Sequence, residues 1–84
     1  MNTSVEISYY PLNENYLEPI GDFIERLHDY EEILINTNGM STQVFGEYDD
    51  VMKAISAEIK KSFTLPHSVF VLKVINADLQ SIPH

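Results

Sequence analysis

The sequence ILINTNGMSTQVF, residues 33–45, places two runs of strand-forming residues on either side of Asn38-Gly39. Asn-Gly between such runs is the strongest short-range indicator of a β-hairpin, because both residues tolerate the positive φ of a tight turn. We therefore predict antiparallel strands over residues 33–37 and 41–45, with Gly46 ending the second strand.

Two elements are predicted before this hairpin. Residues 5–10 alternate apolar and polar side chains ahead of Pro11, which indicates a strand with Val5, Ile7 and Tyr9 toward the core. A helix is predicted from about residue 16 to about residue 29, where apolar side chains recur at helical spacing. Four charged side chains of this helix are expected to face water: Asp22, Glu25, Arg26 and Asp29.

Two further elements are predicted after the hairpin. An amphipathic helix begins near Asp49 and ends before Pro66. A strand follows over residues 68–75, and because it is apolar on both faces we expect it to be covered on both sides or central in the sheet. The order predicts an α+β fold, the ferredoxin-like βαββαβ sandwich, with a four-stranded antiparallel sheet and two helices on one face. Residues 1–84 are expected to form a single domain.

Composition restricts the function classes. The chain has 84 residues, a net charge of −8 and no cysteine, and Lys60-Lys61 is its one basic cluster. Nucleic-acid binding and docking on anionic membranes are therefore disfavoured, whereas a cationic ligand would be attracted. His28, His67 and His84 lack metal-ligand spacing, so we expect no metal and no cofactor. Residues 1–6 do not resemble a signal peptide, and no apolar stretch is long enough to span a bilayer, so a cytoplasmic location is expected.

The sheet face away from the helices is the predicted functional surface. Alternation assigns to it a large apolar set: Tyr10, Leu34, Phe45, Val69, Val71 and Ile75. So much apolar surface indicates self-association, and we expect a homodimer or homotetramer. Glu6 also faces this side, where it either pairs with Lys73 across the sheet or meets a cationic ligand.

Uncharged polar side chains gather near the hairpin: Ser8, Asn36, Asn38, Ser41, Thr42 and Gln43. Such groups orient a small polar heterocycle in a mostly apolar pocket. The alternative is that Asn38 serves the turn while Ser41 and Thr42 simply suit a strand. We find neither a nucleophile elbow nor a glycine-rich phosphate loop in the sequence, and we expect a binding protein rather than an enzyme.

Three segments of the sequence form a recognisable pattern: EISYYPL (6–12), MSTQVFGEYDDV (40–51) and LKV (72–74). In this order they resemble the YkoF-like family, which binds thiamine and hydroxymethylpyrimidine. The resemblance implies the ferredoxin-like fold, dimers or tetramers formed through the sheets, and non-catalytic binding of thiamine or its pyrimidine moiety in uptake or salvage. It implies that Ser8, Ser41 and Thr42 contact the ligand, and strand geometry adds their neighbours Tyr10, Asn36, Asn38 and Gln43.

The chain departs from the family pattern at two places. Phe45 stands where relatives often carry an acidic residue, and Phe70 and Val71 replace small hydroxyl residues. Two other interpretations therefore stay open. One is a structural or regulatory module that binds protein through its open sheet face. The other is an enzyme of the dimeric αβ-barrel kind, for which Glu6 is the available acid.

Overall fold

The computed structural model describes residues 1–80, and residues 81–84, with His84, lie outside the described residues. Six elements follow one another along the chain. They are β1 (Asn2–Pro11), α1 (Leu17–His28), β2 (Leu34–Thr37), β3 (Thr42–Glu47), α2 (Tyr48–Ser62) and β4 (Ser68–Ile75). All strand pairs are antiparallel and the sheet order is β2-β3-β1-β4. The predicted βαββαβ arrangement is confirmed.

The strands β1 and β3 are longer than the sequence predicted. Thr3 and Ser4 extend β1, since they pair with Gly46 and Phe45. Gly46 does not end β3, which continues to Glu47. A Cβ atom at Gly46 would lie 3.3 Å from the carbonyl oxygen of Glu32, so glycine allows the close approach of these two backbone segments.

The strand β4 is an edge strand in the sheet of residues 1–80, so the expectation that it is central is wrong, and this chain itself does not cover it on both faces. It pairs with β1 alone among the described strands. On the helix side of the sheet its Leu72 is 37% exposed and Val74 is 47% exposed. Their partners on β1, Ile7 and Val5, are buried. The apolar pattern of β4 therefore exceeds what this chain itself covers.

The core lies between the sheet and the two helices. Its fully buried apolar side chains are Val5, Ile7, Phe23, Leu27, Ile33, Val44, Val51, Ala54 and Ile55. Each large member stabilises the fold by about 1.5–3 kcal/mol through removal of its surface from water. Aromatic rings extend the core at one end, where Tyr9 stacks on Phe70 at 4.1 Å between centroids. The helices consequently cover one face of the sheet and leave the other open.

A buried charge joins the two helices. Glu58 of α2 is 1% exposed and accepts hydrogen bonds from Arg26 Nε at 2.7 Å and from the Tyr30 hydroxyl at 2.6 Å. Lys61 Nζ lies 3.2 Å from the same carboxylate, and Arg26 also donates to Ser62. The prediction that Arg26 only faces water is therefore wrong, because its guanidinium satisfies a carboxylate that burial would otherwise destabilise.

These contacts shift two ionisation equilibria. Burial alone would raise the pKa of Glu58, but the hydrogen bonds from Tyr30, Arg26 and Lys61 outweigh it and hold that pKa below its ordinary value. The hydrogen bond to Glu58 raises the pKa of the Tyr30 hydroxyl. Glu58 is consequently a charged structural element at the interface between the helices.

Neither helix is long and apolar enough to cross a membrane, within residues 1–80.

Candidate functional site

The open face, defined as the sheet face away from the helices, consists of side chains aligned by strand pairing. Asn36 pairs with Gln43, Gln43 with Glu6, and Glu6 with Lys73, so one side chain from each strand lies in what we call the Glu6 row. The adjacent Phe45 row is Leu34, Phe45, Ser4 and Ile75. A polar row therefore runs beside a mostly apolar row across the whole sheet.

A groove of about 680 Å³ lies over these two rows. Its lining residues come from all four strands and from the segment after β4: Ser4, Val5, Glu6, Leu34, Ile35, Asn36, Asn38, Gln43, Phe45, Lys73, Ile75, Leu79 and Gln80. This volume is that of a small-molecule site, and the mixture of apolar surface with a few polar groups is typical of one.

Glu6 lines the groove from the inner strand β1 and is held there by neighbouring side chains. Its Oε2 accepts a hydrogen bond from the Ser41 hydroxyl at 3.0 Å. The Ser41 oxygen in turn accepts one from Gln43 Nε2 at 2.8 Å. Lys73 Nζ lies 3.5 Å from the other carboxylate oxygen, Oε1, so the predicted pairing of Glu6 with Lys73 across the sheet is confirmed.

The groove has a simple charge distribution. Among the described residues that line it, Glu6 and Lys73 carry the formal charges. Both are partly in water, with 42% of the Glu6 side chain and 69% of the Lys73 side chain exposed. An ion pair of this kind contributes only about 0–1 kcal/mol, because water screens it and the long side chains lose freedom. The pair is therefore separable at little cost.

The segment after β4 forms part of the groove wall. Ser4 is 4% exposed, and its hydroxyl donates to the Ala77 carbonyl at 2.6 Å while accepting from the Leu79 amide at 2.9 Å. These two bonds attach residues 77–79 to the start of β1. Leu79 and Gln80 thereby line the groove together with Ile75.

The structure brings four predicted site residues to the groove. Asn36, Asn38 and Gln43 line it, and Ser41 reaches it through its hydrogen bond to Glu6. Asn38 also serves the turn, as the alternative interpretation held, because its Oδ1 accepts from the amides of Met40 and Ser41.

The other three predicted residues lie elsewhere. Ser8 is on the open face opposite Val71, and Tyr10 lies farther along β1 opposite Val69. Thr42 is buried on the helix side of the sheet, where its hydroxyl lies 3.2 Å from that of Thr37. The structure therefore does not bring Ser8, Tyr10 or Thr42 to the groove.

Several groove residues were absent from the predicted polar set. Strand alternation had already assigned Glu6, Lys73 and Phe45 to this face, although not to the set of ligand contacts, and the pairing of β1 with both β3 and β4 brings them into the groove. Leu79 and Gln80 had no such signal, since they reach the groove through the hydrogen bonds of Ser4 rather than through a periodic pattern.

A smaller groove of about 300 Å³ lies on the helix side, between the β1–α1 connection and the end of α2. Its basic members, Arg26 and Lys61, are both bonded to Glu58. We interpret it as a by-product of the interhelical contact. Within residues 1–80 no three histidine, cysteine, aspartate or glutamate side chains come together as a metal site would require.

Comparisons with known proteins bear on the fold. No model of a known protein family matches this sequence, and no curated protein matches it significantly. The chain is similar in structure to a proposed thiamine biosynthesis/salvage protein from Thermotoga maritima, with a TM-score of 0.81, 19% identity, and coverage of 92% of this chain and 85% of that one.

Two other solved structures are similarly close. A hypothetical protein from Methanocaldococcus jannascii gives a TM-score of 0.79 at 22% identity, over 92% of this chain and 81% of that one. A domain of unknown function, DUF77, from Bacillus cereus gives 0.79 at 11% identity, over 98% and 88%. At these identities the likenesses establish a shared fold.

Proposed function

We propose that this chain binds thiamine or its hydroxymethylpyrimidine moiety, without chemically transforming it, in uptake or salvage of the vitamin. The observation that carries the proposal is that Glu6 lies in the polar row of a groove whose adjacent row is mostly apolar. A flat heterocycle with polar edges matches such a groove, because its ring packs on apolar side chains while its edge atoms take hydrogen bonds.

The polar groups of the groove complement an aminopyrimidine ring. Such a ring offers an exocyclic amino group as donor and ring nitrogens as acceptors. The Glu6 carboxylate accepts from an amino group, and the amides of Asn36 and Gln43 both donate and accept. Phe45 and Ile75 supply apolar surface against which a ring face packs. The thiazolium ring of thiamine adds a positive charge, which the Glu6 carboxylate attracts.

Two independent likenesses support this ligand class. Residues 6–12, 40–51 and 72–74 resemble the YkoF-like family, and they include Glu6, Ser41, Gln43 and Lys73 of the groove. The structure from Thermotoga maritima with the same fold is a proposed thiamine biosynthesis/salvage protein. The departure at Phe45 enlarges the apolar wall of this site compared with the acidic family pattern.

Thermal unfolding with added ligand tests the proposal. We expect millimolar thiamine or hydroxymethylpyrimidine to raise the Tm, since a ligand at one hundred times its Kd stabilises the native state by about 2.7 kcal/mol. Glu6→Gln should abolish the rise, whereas Glu31→Gln, an equal charge change at an exposed residue outside the groove, should preserve it.

Two results would contradict the proposal. One is an unchanged Tm with both ligands at millimolar concentration. The other, which concerns the absence of catalysis, is the appearance of resonances of a chemically different product in the NMR spectrum of the ligand after prolonged incubation and removal of the protein. Conversion that depends on Glu6 would instead favour an enzyme of the dimeric αβ-barrel kind.

A second candidate function is protein interaction, with self-association into a homodimer or homotetramer through the open face. Exposed apolar side chains of this face favour it: Tyr10, Leu34, Val69 and Val71 are 54%, 55%, 43% and 56% exposed. Val71→Glu should reduce the mass measured by light scattering while the Tm rise with thiamine persists, because Val71 does not line the groove. Leu17→Glu, at an exposed position on α1, is the control. A monomeric wild-type protein would contradict self-association.

A further inference from the structure

We propose that Lys73 is a displaceable internal counter-ion of Glu6, and that the groove therefore selects a cationic planar ring over a neutral one. This inference rests on the proposed function and deepens it, because it distinguishes thiamine, which carries a permanent thiazolium charge, from the uncharged hydroxymethylpyrimidine. It assigns Lys73 as a specificity-determining residue that competes with the ligand.

The two oxygens of Glu6 are held in unequal ways. Oε2 receives the 3.0 Å hydrogen bond of Ser41, whose own oxygen is held by Gln43. Both of these residues belong to the hairpin, in or directly before the paired strand β3. Oε1 faces Lys73 at the longer distance of 3.5 Å. The carboxylate consequently keeps its position when the ammonium group leaves, so the groove contains a fixed anion with a mobile counter-ion.

The position of Lys73 allows its ammonium group to move away from Glu6. It lies on the edge strand β4, and 69% of its side chain is exposed, so its ammonium group reaches bulk water by rotation about its own side-chain bonds. The exposed pair that it abandons is worth little. A neutral ligand cannot compensate the Glu6 charge, so Lys73 stays paired with Glu6 when such a ligand binds. A cationic ring supplies the same positive charge as Lys73 and therefore replaces it.

The ring has an advantage over the ammonium group that it replaces. The Phe45 row lies directly beside Glu6, and the half-buried side chains of Phe45 and Ile75 contribute apolar surface to the groove. A strongly hydrated ammonium group makes no use of that surface. A planar delocalised cation packs against it while keeping its charge close to Glu6, and an aromatic face such as Phe45 adds cation–π attraction.

Isothermal titration with thiamine and with hydroxymethylpyrimidine tests the inference. Lys73→Met keeps a long apolar stem and removes the competing charge. We expect it to bind thiamine about fivefold more tightly than wild type, the factor that corresponds to the upper value for an exposed ion pair. Affinity for hydroxymethylpyrimidine should change less than twofold. Lys53→Met makes the same change of net charge on α2, outside the groove, and should leave both affinities unchanged.

The outcomes separate the inference from the proposed function. If wild type binds thiamine but Lys73→Met binds it equally or more weakly, the counter-ion role is overturned and thiamine binding stands. Equal gains for both ligands overturn the selection of a cation. Binding of neither ligand to wild type overturns the proposed function and this inference together. Lys73→Gln repeats the test with a polar side chain, so that any loss of folding or solubility in the methionine variant does not decide the result.

Discussion

Replacing Glu58 by glutamine tests the interhelical charge cluster. The substitution preserves side-chain size and an acceptor for Tyr30, but it removes the charge that faces Arg26 and Lys61. Breaking one side of a buried ion pair costs about 3–5 kcal/mol. Because Arg26 is 30% exposed and regains some hydration, we expect the lower end, about 3 kcal/mol.

This cost is a large part of the total stability. A domain of this length has a free energy of unfolding of about 4–13 kcal/mol, at about 0.05–0.15 kcal/mol per residue. The loss should lower the Tm by at least about 12 °C, since each kcal/mol corresponds to about 4–8 °C in a small domain. Urea unfolding, monitored by circular dichroism, measures the loss in the free energy of unfolding, and thermal unfolding measures the loss in Tm. The control is Glu25→Gln, which removes an exposed carboxylate from α1 and should change stability by less than about 0.5 kcal/mol.

The pH dependence gives this prediction a sign. The folded pKa of Glu58 lies below its ordinary value of 4.5. Its contribution is therefore fully present above pH 4.5 and is lost as the pH falls through the folded pKa. The difference in stability between wild type and Glu58→Gln should be constant near neutral pH and shrink below pH 4.5. If Glu58→Gln costs no more than Glu25→Gln, or if the difference grows at low pH, the cluster does not stabilise the fold as described.

Substitutions at three further positions have defined outcomes. Thr3→Val should raise the free energy of unfolding by about 1 kcal/mol, because Thr3 Oγ1 is buried without a hydrogen-bond partner in residues 1–80; a loss measured in urea would contradict this. The φ of His67 is +61°, where a β-branched residue is strained. His67→Val should therefore lower the free energy of unfolding by at least about 1 kcal/mol, whereas His67→Gly should not lower it. Equal urea midpoints of the two variants would refute the argument. Ser4→Ala removes the two hydrogen bonds that hold residues 77–79 and should therefore weaken thiamine binding measured by titration. Unchanged amide exchange at Leu79 would show that these bonds do not hold the segment.

The prediction of the open face succeeded where side-chain alternation and strand pairing agreed. Glu6 and Lys73 were expected to face each other because both have the outward parity of their strands, and β1 pairs with β4 in that register. Asn36 and Gln43 followed from the hairpin in the same way. Thr42 does not reach the groove, because side chains alternate along β3 and Thr42 points to the same face as the core residue Val44. The resemblance had predicted Thr42 as a ligand contact without regard to this alternation.

Local pattern failed where a residue's environment depends on distant segments. The apolar run of β4 does not reveal the position of this strand in the sheet. The same residues suit a buried central strand and an edge strand whose faces are covered by another molecule. Arg26 looked like a solvent-facing helix residue, since its partner Glu58 lies 32 residues away on α2.

The sequence alone specified the six elements, their order and the face of each strand, because helix and strand periodicity, the Asn38-Gly39 break between two strands and Pro66 are local signals. The hairpin forms without a positive φ at Asn38 or Gly39. The sequence predicted the contact of Glu6 with Lys73 but left the rest of the groove unspecified. Folding brought Glu6 between Gln43 and Lys73 and attached residues 77–79 to Ser4. These contacts join segments 37 to 75 residues apart, and the packing of the whole chain rather than any local preference selects them.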